Sequence, residues 1–306
     1  MDAGSIPATS TTVLTPRIVA ERPGPPRTGP LGPVVRAALS AEASTACTPL
    51  APGGSGTLAA MRLRHLSGLS RWTAAHLVLF ATALVGAAVA VGLTAGAAEV
   101  YEAVTESDGV AGLDQPVLDR AIALRTPGLD TWVGRFTDLG GPVGLPILAA
   151  ALTVLLAVLW RSRTPVLLMA IAAAGSLAMT ATGKAVVGRV RPPHAEAVPP
   201  FESSPSFPSG HTLNATVLTA VVVYLVLRRL SSSRARVVVV VAGALFAGAM
   251  GLSRVFLGHH WLTDVMAGWL LGLGWAAVVI TAHRLFLAVR RGSAAGRTAP
   301  PAGTPG

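Results

Sequence analysis

Lysine is almost missing from this chain: of 24 basic residues 23 are arginine, and the sole lysine is Lys184. A codon bias toward arginine would remove lysines, so the one that is kept draws attention. Cysteine is as scarce, with Cys47 alone, which excludes an intrachain disulfide and any cysteine-based metal site. Charge is thin as well: 12% of the residues are charged, about half the ~25% of an ordinary soluble domain. What fills the space is apolar. The hydrophobic fraction of 52% is gathered into runs of roughly 20 residues, long enough to cross a ~30 Å hydrocarbon core. These runs are apolar all round and lack the one-sided stripe of a soluble helix. The net charge of +10 does not indicate nucleic acid, because the arginines sit at the ends of apolar runs and in the tails, with no basic stripe.

The chain divides into three parts: a tail over 1–60, a membrane domain over 61–289 and a second tail over 290–306. The first tail is rich in Pro, Gly, Ser, Thr and Ala, as in "ERPGPPRTGPLGP". It holds too little apolar surface to offset the entropy of ordering and is expected to be disordered. "MRLRHLSGLSRW" follows, a Met and an Arg-rich lead into the first span, and Met61 is read as an alternative start of translation. Six spans are expected, over about 74–97, 143–160, 165–187, 210–227, 237–253 and 263–282, so the fold class is an all-α, polytopic bundle. The small residues in "AIAAAGSLAMTATG" and "AGALFAGAMG" allow close helix contact within a bilayer.

Arginine placement orients the bundle. Arg62, Arg64 and Arg71 precede the first span, Arg161 and Arg163 join the second and third, Arg228, Arg229, Arg234 and Arg236 join the fourth and fifth, and Arg284, Arg290 and Arg291 close the sixth. These mark one cytoplasmic face of the plasma membrane, with both termini inside. The opposite face receives the segment from Glu99 to Asp138, which holds eight of the fourteen acidic residues. Within it "PVLDRAIALRTPGLDTWVGRF" has the spacing of a short helix lying on the membrane surface. Trp72, Trp160 and Trp261 stand at span ends, where interfacial anchors belong.

Three polar clusters fall on that outer face: "GKAVVGRVRPP", "FPSGHT" and "SRVFLGHHWLTD". Lys184, Arg191 and Arg254 bring three cations there against the positive-inside trend. Three cations converging without as many carboxylates ask for an anion, and phosphate suits the Arg fork and the Lys point charge. Any one of them alone could be a side chain snorkelling to headgroups. In "PSGH", Ser209 is a good N-cap at the start of the fourth span, where free N–H groups and the helix dipole favour an anion. Gly210 permits close approach, and His211 lies in the first turn. His260 and Asp264 are four apart and share a helix face. Asp264 can hold the tautomer of His260 and leave its other nitrogen free to attack, which makes His260 the candidate nucleophile. His259 has Thr263 at that spacing and becomes a wall residue. Standing alone, a His–Asp pair of this kind is an ordinary satisfied helix pair. A divalent metal would be opposed by the three cations.

Together the clusters resemble the type 2 phosphatidic acid phosphatase superfamily, which also contains the vanadium haloperoxidases. Its pattern is a Lys, six residues and Arg-Pro; Pro-Ser-Gly-His; then Ser-Arg, five residues, His, three residues and Asp. Lys184 with Arg191-Pro192, Pro208 to His211, and Ser253-Arg254 with His260 and Asp264 match it in order and spacing. The resemblance covers about 74–282. It implies a membrane lipid phosphatase in which His260 forms a phosphohistidine, His211 protonates the leaving alkoxide and later activates water, and Asp264 orients His260. Lys184, Arg191, Ser209, Gly210 and Arg254 would hold the phosphoryl oxygens, with no metal or other cofactor. The implied partners are membrane lipids and a lipid phosphate: phosphatidic acid, phosphatidylglycerol phosphate or undecaprenyl diphosphate. Two rivals are a vanadate-dependent haloperoxidase, which would be soluble, and an anion transporter or channel. The latter would need polar groups deep within spans that offer almost none beyond Thr and Ser.

Overall fold

The protein is described by a computed structural model that covers the backbone of residues 55–297 and the side chains of 76–292. The expected disorder of 1–54 and 298–306, and Cys47, lie outside the described residues. Eight α-helices follow one another, with no β-strand among the described residues. They are α1 (Ser55–Glu106), α2 (Asp114–Ala123), α3 (Pro127–Asp138), α4 (Gly144–Trp160), α5 (Thr164–Val187), α6 (Gly210–Leu227), α7 (Ser233–Phe256) and α8 (Leu262–Arg297). Five carry segments long and apolar enough to cross a membrane: His76–Glu106, Thr164–Val187, Gly210–Leu227, Ser233–Phe256 and Leu262–Gly292. The sixth, α4, has 17 residues, about 25 Å of helix.

Two expected boundaries move. α1 begins at Ser55, inside the stretch expected to be disordered, and α8 runs to Arg297, past the expected end of the domain at 289. Ala and Arg in both places, with Leu in the first, are strong helix formers and no proline interrupts them, so helix propagates beyond the apolar window. The third difference concerns the acidic segment. The single surface helix expected there is two helices, because Pro127 forces Thr126 into an extended conformation (φ −141°, ψ 152°) and Thr126 then caps α3 through Leu129 N at 3.3 Å. The two do not merely lie on a surface. Leu118, Asp114 and Thr137 are buried, and the pair packs over the ends of α7 and α8.

α6 is the centre of the bundle and packs against α5, α7 and α8. Its Leu213, Val217 and Val221 are fully enclosed and meet Met169, Ala172 and Met250 in one apolar core. The small residues noted above serve close contact. A Cβ on Gly175 would stand 2.2 Å from the Trp275 ring, and one on Gly251 2.6 Å from that of Trp269. Because the helices alternate in direction, the end of α5, the start of α6, the end of α7 and the start of α8 share one end of the bundle. The loop 188–209 joins α5 to α6 across that end and is tied down by Val198 N to the Leu257 carbonyl and Ser206 N to the Arg189 carbonyl, both 2.8 Å.

Candidate active site

The His260–Asp264 pair forms at the turn that leads into α8. Asp264 Oδ2 lies 3.3 Å from His260 Nδ1 and accepts from Trp261 N at 2.9 Å and from the Ser206 hydroxyl. Carboxylate oxygens only accept, so Nδ1 carries the proton and Nε2 keeps the lone pair. Nε2 faces Arg191 Nη1 at 3.2 Å. Burial pushes the His260 imidazole down to about 4 against the upward pull of Asp264, so it is neutral at neutral pH. His259 is held differently. Its Nε2 donates to the Val198 carbonyl at 2.7 Å, its carbonyl accepts from Arg191 Nη1 at 2.5 Å, and it packs as a wall residue.

The three cations converge as expected, and they are not without a carboxylate. Glu202, in the loop 188–209, pairs with Arg191 Nη2 at 2.7 Å and with Arg254 Nη2. Burial alone would raise its carboxyl, but the two guanidiniums outweigh it and hold it at about 2. The sequence reading missed Glu202 because it lies outside the motif spacings. One signal was available: after Asp138 the chain has only three acidic residues, Glu196, Glu202 and Asp264. Arg254 is also fixed by Thr137 of α3, whose Oγ1 accepts from Nη1 at 3.1 Å. Arg191 Nε donates to the Ser204 carbonyl at 2.7 Å, and Lys184 Nζ donates to Ser204 Oγ at 3.1 Å and to the Pro205 carbonyl. The loop thus organises the cations, which sequence spacing alone would not indicate.

Ser209 holds the N-cap position of α6 but makes no side-chain cap bond. It is fully buried, and its Oγ accepts from Thr212 Oγ1 at 2.9 Å. Gly210 and His211, one and two residues on, line a cavity of about 790 Å³ together with His260, Lys184 and Glu202. From this polar end the cavity continues between α4 and α5 along apolar residues that include Leu145, Ala149, Val154, Val166 and Met169. Asn214 of α6 also faces it, with a buried Oδ1 that has no hydrogen-bond partner among the described residues. That polar group, one turn inside a span, is another residue the sequence reading passed over. Trp261 is more than an anchor: its Nε1 donates to the Val190 carbonyl at 2.9 Å, and its ring lies 5.6 Å from the Arg189 guanidinium.

A bundle of apolar helices with buried cations, two histidines and a carboxylate at one end defines a class, and comparison with known proteins agrees with it. The family model of the PAP2 superfamily matches residues 164–287. Phosphatidylglycerophosphatase B of Bacillus subtilis (strain 168) is 32% identical over 180 residues, which cover 57% of this chain and 85% of that protein. A solved structure, described as the first transmembrane PAP2 type phosphatidylglycerolphosphate phosphatase from Bacillus subtilis, superposes with a TM-score of 0.59 at 27% identity, covering 64% of this chain and 96% of that one. The chain belongs to the PAP2 superfamily. It is an integral membrane protein and a phosphatase.

Proposed function

We propose that the protein removes phosphate from a membrane lipid phosphate through a phosphohistidine on His260, without a metal, at the outer face of the plasma membrane. The observation that carries this reading is the single cavity that joins the polar site to an apolar channel between α4 and α5. A substrate that fills it needs a phosphoryl group at one end and a hydrocarbon chain at the other. Glu202 marks where the guanidiniums of Arg191 and Arg254 hold an anion, and the phosphoryl group would replace its carboxylate. Lys184 and the α6 N-terminus at Ser209 and Gly210 border the same place.

In the first step the Nε2 lone pair of His260 attacks phosphorus and the P–O bond to the lipid breaks. His211 gives its proton to the departing oxygen, and Arg191, Arg254 and Lys184 stabilise the charge on the equatorial oxygens. In the second step His211 takes a proton from water, the hydroxide attacks the phosphohistidine, and phosphate leaves with His260 restored. Asp264 keeps the Nδ1 proton in place throughout. The Arg-rich loops at the far end support an inward placement of both termini and an outward site. The B. subtilis relatives make phosphatidylglycerol phosphate the first substrate to try, with phosphatidic acid and undecaprenyl diphosphate beside it.

The test is phosphate release by detergent-purified protein with EDTA present, on each of the three lipids, with His260→Ala in parallel. Turnover that survives chelation and disappears in the variant is the expected result. Release by His260→Ala at a wild-type rate removes His260 as nucleophile, and loss on chelation removes the metal-free route.

A further inference from the structure

Behind the His260–Asp264 pair lies an ion network that the motif pattern does not include. Asp114, the first residue of α2, is 5% exposed and comes from the acidic segment, far from the motifs in sequence. Its Oδ1 accepts from Thr263 N at 2.9 Å, and its Oδ2 from Thr263 Oγ1 and Arg189 Nη2, both at 2.7 Å. Arg189, two residues before Arg191, turns its other nitrogen inward. Nη1 donates to Asp264 Oδ1 at 2.7 Å and to Thr263 Oγ1 at 2.7 Å. The chain of contacts therefore runs from Asp114 through Arg189 to Asp264, whose second oxygen faces His260.

Charge explains why such a brace is useful. Asp264 is fully buried, and a neutral His260 cannot offset its charge, so it needs a cation. Arg189 is that cation, shared with Asp114. While His260 is neutral the three groups sum to one negative charge. When His260 bonds phosphorus with Nδ1 still protonated, the ring becomes cationic and the four groups together are neutral. The planar fork of an arginine can bridge two carboxylates at fixed angles, which a lysine ammonium does not do.

We infer that Arg189 and Asp114 are positioning residues for the reaction: the Asp114–Arg189 pair holds Asp264 in the orientation that aims His260, and it couples the acidic segment to catalysis. The inference rests on His260 as the nucleophile. A plain structural clamp would use the same contacts, so the test needs readouts that folding alone does not move. Charged and titratable groups face His260 from every side: Asp264 of α8, Arg254 of α7, His211 of α6, and Arg191 and Glu202 of the loop 188–209. None of these changes in the variants.

The experiment measures kcat, KM and the pH dependence of kcat/KM on the preferred lipid phosphate for Arg189→Gln, Arg189→Lys, Asp114→Asn and His260→Ala, with melting in detergent as a folding control. Arg189→Gln should lower kcat roughly ten- to a hundredfold, the size typical of removing a partner one step behind a reacting ligand, with KM changed less than about threefold. Its acid limb should move up, because an Asp264 without Arg189 pulls harder on the imidazole proton. Asp114→Asn should cost less and move the limb down, since Arg189 then bears on Asp264 alone. Arg189→Lys should recover part of kcat. Folded Arg189→Gln and Asp114→Asn with wild-type kcat and an unmoved acid limb overturn the inference while His260→Ala is inactive. Activity in His260→Ala overturns the reading it rests on instead. If Arg189→Gln fails to fold, Asp114→Asn decides by the same two readouts.

Discussion

The two ends of the bundle both carry arginines and use them in opposite ways. At the far end, Arg228 lies over Tyr224 at 5.9 Å, Arg229 over Trp160 at 5.1 Å and Arg290 over Phe286 at 5.5 Å. The loops there contain no Asp or Glu after Asp138. Those guanidiniums rest on aromatic faces at the ends of the apolar helices, where cation–π contact is worth about 0.5–1 kcal/mol each. At the site end, Arg189, Arg191 and Arg254 are each locked by a carboxylate and by backbone or hydroxyl acceptors. The residue type is the same, and the difference lies in what the fold places beside it. An arginine facing headgroups anchors; one turned inward among fixed acceptors presents donors at set positions, and that is what a phosphoryl group requires.

The sharpest way to break the contrast is His260→Ala. It should abolish phosphate release while melting in detergent stays near wild type, since Asp264 keeps the Trp261, Ser206 and Arg189 contacts. Next in size is Arg254→Gln, which removes a buried donor; kcat/KM should fall on the order of 10²–10³, read by steady-state kinetics. Glu202→Gln tests the anion place from the other direction. With the competing charge gone, inhibition by orthovanadate or inorganic phosphate should tighten by roughly tenfold, about 1.4 kcal/mol, and an unchanged inhibition constant would deny that Glu202 occupies that place.

A pH series follows. Burial holds His260 down at about 4 in place of 6.5, so the acid limb of kcat/KM should lie near 4, where the ring gains a proton and loses its lone pair. The unfolded chain binds that proton near 6.5 and the folded chain does not until about 4. Stability from this group is therefore full above about 6.5 and declines as pH falls through the window. An acid limb near 6.5 would contradict the burial argument. The smallest effect belongs to the far end: Arg229→Ala should leave kcat/KM within about twofold and cost under ~1 kcal/mol, seen as a slight drop in melting temperature.

How much of this could be read in advance differs by residue. The helices of the membrane domain were legible because apolar runs of span length have few other uses, and α4 through α8 stand where those runs fall. The break at Pro127 was written in the chain too, since a pre-proline Thr is pushed out of helix, but the amphipathic spacing across it masked the signal. The convergence of Lys184, Arg191, Arg254, His211, His260 and Asp264 followed from motif spacing and alternating helix direction. Glu202, Ser206 and Arg189 belong to or border a loop whose path no periodicity encodes. Asp114 was one acidic residue among eight in its segment, with nothing local to distinguish it.

The sequence by itself determined the solvent this protein lives in, the number and direction of its apolar helices, and which end of the bundle collects the unusual polar groups. Those properties depend on transfer energies and on chain order, which are local or nearly so. Only the tertiary structure decided the partners: which carboxylate faces which guanidinium, which nitrogen of His260 faces Asp264 and which faces Arg191, and that a segment a hundred and fifty residues away braces Asp264. Such choices depend on loop closure and on distances of a few ångströms between elements far apart in the chain. Electrostatic interaction changes steeply over that range once water is excluded.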